Sequence, residues 1–257
     1  MPTNKKLPKF SIDLNKLKNI KTNQILVGFL IIAAFLIGVL YTKVQYLEKS
    51  QTGNQAAVPN QQGTATQPNQ PQAAAPGQKQ NVGVGNLPPL GSKDAKVKII
   101  AFEDFRCPFC DKFNKETLPL IKKDYIDTGK ASFSYRHYQF LGPASVIAGN
   151  ASECANEQGK FWQMHDYLYQ NQPSESDTSM YTTDKMTQIA GTLGMDTNQF
   201  QSCLSSTKYQ KNVDQDLADG QKTGVTGTPT VFINGIPIVG AQPYTAFQTV
   251  IDQELKK

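Results

Sequence analysis

Cysteine and histidine are scarce in this chain: 257 residues carry four Cys, two His and a single Trp. Four cysteines are enough for a structural zinc site, but such sites ordinarily show two closely spaced pairs. Here only Cys107 and Cys110 are close, while Cys154 and Cys203 stand alone, so no metal is expected. His137 in SYRHYQF and His165 in FWQMHDYLY sit among aromatics, which favours packing over acid-base chemistry. Trp162 and its neighbours likewise read as helix packing, not as a base-stacking platform. The net charge of +5 would suit a nucleic-acid partner, yet Lys5, Lys6, Lys9, Lys16, Lys18 and Lys21 face Asp13 alone in the first 22 residues. That is the charge pattern of a membrane flank, so no nucleic acid is expected as a partner. The chain also lacks internal repeats.

Residues 25–41, ILVGFLIIAAFLIGVLY, lack any charge and as a helix would span roughly 25 Å, near the short end for a hydrocarbon core. A secretory signal peptide is the rival reading. The apolar run is long for one, however, and the following TKVQYLEKS has no clear small-x-small cleavage site. An uncleaved transmembrane anchor is therefore expected at 25–41. The lysine excess ahead of it keeps the basic segment 1–24 in the cytoplasm and sends everything after residue 42 outside, in a single-pass topology.

Residues 42–92 have few large apolar side chains and are rich in Gln, Asn, Pro, Ala and Gly. Such a segment buries too little surface to offset ordering entropy. A disordered tether is predicted, and about 40 flexible residues would have an r.m.s. span of roughly 35 Å. From residue 93 to 257 the pattern is globular, long enough for one good core.

Within that part AKVKIIAFEDF reads as a buried strand and CPFCDKFNKETLPLIKKDY as a helix. Phe109, Phe113, Thr117, Ile121 and Tyr125 step along one face of it, and Pro119 is expected to kink it. KASFSYRHYQF is a second strand. A helical block covers about 143–222, then TGTPTVFINGIPIVG gives two short strands joined by Asn234-Gly235, a favoured hairpin dipeptide, and YTAFQTVIDQELKK closes the chain as a helix.

The pair in RCPFC lies where strand passes into helix. That places the first sulfur near unpaired N–H groups and the dipole, where a thiolate is favoured, and the second one turn inside. Pro108 suits the first turn, which needs no N–H from it.

AFEDFRCPFCDKFNKETLPLIKKDYIDTGK, ASECANEQGKFWQMHDYLY and GVTGTPTVFINGIPIVGAQPYTAF, in this order from about residue 85 to the C-terminus, resemble the DsbA-like thiol-disulfide oxidoreductases, in their membrane-tethered bacterial branch. The resemblance implies an α/β thioredoxin fold with an inserted helical domain. It implies that Cys107 is the nucleophile, that Cys110 resolves the mixed disulfide, and that Pro229 is cis, with Thr228 offering backbone hydrogen bonds to an extended substrate. It also implies no cofactor, substrates that are exported proteins with cysteines, and a membrane or thiol redox partner that recycles the pair. Relatives often carry a cysteine in both helices that hold Cys154 and Cys203; with an oxidising exterior, this makes the two candidates for a structural disulfide.

The sequence departs from the family at Ala101, where many relatives have a buried Glu six residues before the first cysteine. Glu103 lies two residues on, on the same strand face, and is a substitute acting through water, or else a solvated or locally paired side chain. The His that some relatives place between the cysteines is here Phe109. An oxidase of exported proteins is the preferred expectation, with isomerase or reductase as the alternative. A tethered binding module or holdase with purely structural cysteines is the reading from another class.

Overall fold

The computed structural model describes residues 79–257. The segments 1–24 and 25–41 and most of 42–92 lie outside the described residues. Among the described residues no helix is long and apolar enough to cross a membrane.

Strand β1 (Val97–Glu103) alternates its side chains between two covered faces. Val97, Ile99 and Ala101 pack with Phe113, Leu118, Ile121, Phe247 and Ile251 on one side, while Ile100 and Phe102 pack with Tyr138, Val225 and Phe232 on the other. Period-two alternation thus builds two cores on one strand, and it turns Glu103 toward the same face as Ala101. Strand β2 (Ala131–His137) runs parallel to β1. Strand β3 (Thr230–Ile233) pairs antiparallel with β1, and β4 (Ile236–Val239) with β3, giving the order β2-β1-β3-β4. Asn234 and Gly235 both take positive φ, 46° and 86°, as the two-residue hairpin requires.

Helix α1 follows β1 as four successive segments. Pro108–Lys112 and Leu118–Ile121 are α-helical, Phe113–Thr117 and Lys122–Ile126 π-helical. Its apolar positions recur every four residues, slightly more than the 3.6 of an α-helix; the wider π turns absorb the excess and keep Phe113, Thr117, Ile121 and Tyr125 buried. The first π segment ends just before Pro119, whose ring and missing N–H break the ladder there. Phe109 leaves this stripe: it is 63% exposed, although Cys110 in the same turn is fully buried.

The helical insertion consists of α2 (Pro143–Glu157), α3 (Phe161–Gln170), α4 (Thr183–Thr192), α5 (Thr197–Ser205) and α6 (Gln210–Lys222). Helix α7 (Tyr244–Leu255) closes the chain. Thr182 caps α4 through Lys185 N, and Asp196 caps α5 through the N–H groups of Asn198 and Gln199. Both histidines are packed: His165 lies edge-on against Trp162, Tyr135 and Tyr169, and His137 against Tyr135. Arg136, buried at 3% exposure, bonds Asp216 and Asp219 of α6 at 2.7 Å each and ties the insertion to β2.

One boundary needs correction. Residues 79–92, expected to belong to the tether, are laid onto the domain. Gln80 N donates to Gly235 O at 2.8 Å, Leu90 forms a bridge with Phe133, and Leu87 is 5% exposed. Val82, Leu87 and Leu90 of NVGVGNLPPLG pack against the domain while Val84 stays exposed, and backbone hydrogen bonds supply what composition withholds.

Candidate active site

The Cys107 backbone is extended, with φ −75° and ψ 122°, and caps α1; Pro108 occupies the first helical turn. Cys107 is nearly covered, at 5% exposure, and its thiol donates to the carbonyl of Thr228 at 3.3 Å. The Thr228–Pro229 peptide is cis. The Thr228 hydroxyl is buried without an oxygen or nitrogen partner, which leaves it free to turn to the sulfur. The Cys110 thiol, the Thr228 hydroxyl and the N–H groups of Cys110 and Phe109 together pull the Cys107 pKa down from 9.0 to about 6. Donors to a thiolate outweigh the burial that opposes it. Cys110 is fully covered, and burial pushes its thiol well above the ordinary value, with the charges of Glu103 and Cys107 adding to the rise.

Beneath the pair lies Glu103, with no exposed surface. Asn114 Nδ2 donates to its Oε2 at 2.5 Å and to Cys110 O at 2.9 Å, and the Tyr169 hydroxyl reaches Oε2 at 3.3 Å. Burial raises the Glu103 pKa from 4.5 to about 8, although Asn114, Tyr169 and the neighbouring Cys110 thiol pull the other way. The side chain is locally paired, then, and not solvated.

A second set of contacts holds the approach to Cys107. Asp104 accepts from the N–H groups of Arg106, Phe140 and Leu141. The Arg106 guanidinium reaches the carbonyls of Leu141 and Glu175, the latter at 2.6 Å. Gln172 donates to the carbonyls of Phe105 and Cys107 at 2.8 and 3.3 Å. The turn before the pair is thus clamped by the helical insertion.

The thioredoxin family model matches residues 85–253. A probable disulfide bond formation protein D of Bacillus cereus is 34% identical over 172 residues, which are 65% of this chain and 78% of that protein. Disulfide bond formation protein D of Bacillus subtilis is 31% identical over 172 residues, 66% of this chain and 77% of that protein. The chain belongs to the DsbA-like thiol-disulfide oxidoreductases. The crystal structure of oxidised BdbD from Bacillus subtilis matches 71% of this chain and 100% of its own, with a TM-score of 0.66 at 28% identity.

In this DsbA-like domain the fold brings Cys107, Cys110, Thr228 and Pro229 together. Cys154 and Cys203 are joined to each other, linking α2 to α5 with Cα atoms 5.9 Å apart, and neither bonds to the active-site pair. Sequence reasoning missed Asn114, Tyr169, Asp104, Arg106 and Gln172. For Asn114 a signal existed, since it stands four residues after Cys110 on the same helix face. For Tyr169 there was none.

Proposed function

We propose that the chain is an exported oxidase of cysteine pairs in other exported proteins, held to the membrane by residues 25–41 and acting through Cys107 and Cys110. The observation that carries this reading is the opposed tuning of the two sulfurs, one brought down to about 6 and the other pushed up by full burial above a carboxyl near 8. In the oxidised protein a client thiolate attacks the Cys107 sulfur. The Cys107–Cys110 bond breaks and Cys110 departs with the electron pair. Glu103, protonated at neutral pH, supplies the proton that Cys110 takes up. A second client thiolate then attacks the client sulfur of the mixed disulfide, releasing Cys107 as the stable thiolate and the client as a disulfide. Two electrons pass from client to enzyme. The cis turn at Thr228–Pro229 presents backbone to an extended client next to Cys107, and the exposed Phe109 adds an apolar contact. A separate redox partner must reoxidise the pair.

Trapping tests the roles. Cys110→Ser should accumulate mixed disulfides with reduced client proteins, and Cys107→Ser should form none. Capture by the Cys107→Ser protein alone would reverse the assignment.

A further inference from the structure

Glu103 must gain and lose one proton in each turnover of the proposed mechanism, yet it has no exposed surface. The end of the site that faces a client offers no carrier: the two sulfurs are joined in one redox state, and Phe109 is apolar. On the other side of Glu103, between α1 and α3, lies an open cavity of about 230 Å³ whose walls include Asn114, Lys115, Lys122, His165, Asp166 and Tyr169. It has room for several waters, each with a liquid share of about 30 Å³. Two of its walls, Asn114 and Tyr169, are the side chains that bond Glu103 Oε2. Asn114 Oδ1 and His165 Nε2, on residues of the same wall, are buried without a hydrogen-bond partner.

We propose that this cavity is the solvent port of the buried carboxyl, with the Tyr169 hydroxyl as proton relay and Asn114 as the residue that positions Glu103 against it. This rests on the role assigned above to Glu103. The two side chains differ in what they can transmit. Both Asn114 hydrogens are spent on Glu103 and the Cys110 carbonyl, and an amide does not readily exchange a donor for an acceptor. A hydroxyl does. Protonated at neutral pH, Glu103 first passes its proton to the Tyr169 oxygen while Tyr169 releases its own to water in the cavity, and the Glu103 carboxylate then takes the proton of the Cys110 thiol. Glu103 and Tyr169 end with their original proton counts, and the net change is one proton moved from Cys110 to solvent. The reverse sequence supplies the leaving Cys110 thiolate. Burial keeps the Tyr169 phenol neutral, and burial holds His165 below its ordinary value, so the walls nearest the carboxyl carry no charge. The titratable groups around Glu103 are Cys107 at the cap and Cys110 within α1, Tyr135 of β2 and Tyr169 of α3, with His137 opposite it in the β2 register. Lys115, Lys122 and Asp166 stand farther out along the wall.

The test mixes the reduced full-length protein with Ellman's aromatic disulfide and follows the coloured thiol it releases. The first phase is attack by Cys107; the second is displacement of the bound reagent by Cys110, which needs the proton to leave. General acid-base assistance is typically worth 10²–10⁴-fold, so Tyr169→Phe should slow the second phase at least about tenfold and leave the first unchanged. Imidazole, small enough for the cavity, should restore the rate. Glu103→Gln should slow the second phase, abolish its pH dependence near 8 and respond to no buffer. A Tyr169→Phe protein as fast as wild type, or slowed without rescue by imidazole, overturns the relay while Glu103 keeps its role. A Glu103→Gln protein that retains the wild-type second phase and pH profile overturns the reading of Glu103 itself, and the relay with it.

Discussion

The dependence of the reduction potential on pH follows directly from the lowered pKa of Cys107. A shift from 9.0 to about 6 is a preference of about 4 kcal/mol for the thiolate in the folded state. The sign is that of a depressed acid: the stabilisation is fully present above pH 9 and is lost as pH falls through 6. At pH 7 a thiol of pKa 6 is about nine-tenths ionised and one of pKa 9 about one-hundredth. The reduced form therefore gains a factor of about 11, or about 1.4 kcal/mol, which raises the potential by about 30 mV. With Glu103 in one protonation state in both redox forms, its contribution drops out of the difference between them. Below pH 6 reduction takes up two protons with two electrons, and the potential should fall by about 59 mV per pH unit; between pH 6 and 8 it takes up one, and the slope should halve to about 30 mV. Equilibration with glutathione buffers from pH 5 to 8, read by alkylation and mass, measures the slope. A slope that stays near 59 mV up to pH 8 would show that Cys107 is a thiol at neutral pH and would remove the basis of the oxidase reading. The absolute value at pH 7 should lie between the roughly −270 mV of thioredoxin and the roughly −120 mV of DsbA, and a value at or below the former would favour a reductase.

Thr228→Val removes a hydroxyl that lowers the Cys107 pKa; thiolate absorbance should titrate at a higher pH, and the potential at pH 7 should drop. Glu103 shows the opposite linkage, since its pKa is raised to about 8: folding stability is full below pH 4.5 and is lost as pH rises toward 8. In urea titrations of the oxidised protein, Glu103→Gln should remove that decline and gain up to about 3 kcal/mol at pH 7; equal stability of the two proteins at pH 5 and at pH 7 would contradict the burial argument. Replacing both Cys154 and Cys203 by Ala opens a loop with a sequence separation of 49 and should cost about 4 kcal/mol in the chain-entropy model, while the rate of the Cys107 phase is kept. A reporter fused after Lys257 should be exported and sediment with membranes; activity only in the cytoplasm would reject the topology.

What the sequence determined by itself is what local chemistry decides. The order of strands and helices, the hairpin at Asn234–Gly235 and the helical block ending near residue 222 are legible because side-chain period, turn dipeptides and helix starts act within a few residues. The Cys107–Cys110 pair was nominated the same way, from spacing and its place at a strand-to-helix join. Tertiary structure decided the rest. Whether Glu103 is wet or dry depends on α3, whose Tyr169 is 66 residues away, and the desolvation that raises its pKa is a property of everything packed around it. The ordering of residues 79–92 likewise rests on Phe133 and Gly235, partners far along the chain, which a composition average cannot register. Phe109 fits the apolar stripe of its helix by spacing and still faces solvent, while Cys110, one residue on in the same turn, is fully buried. Burial is a sum over distant neighbours, and periodicity reports only which side chains share a face, not what that face meets.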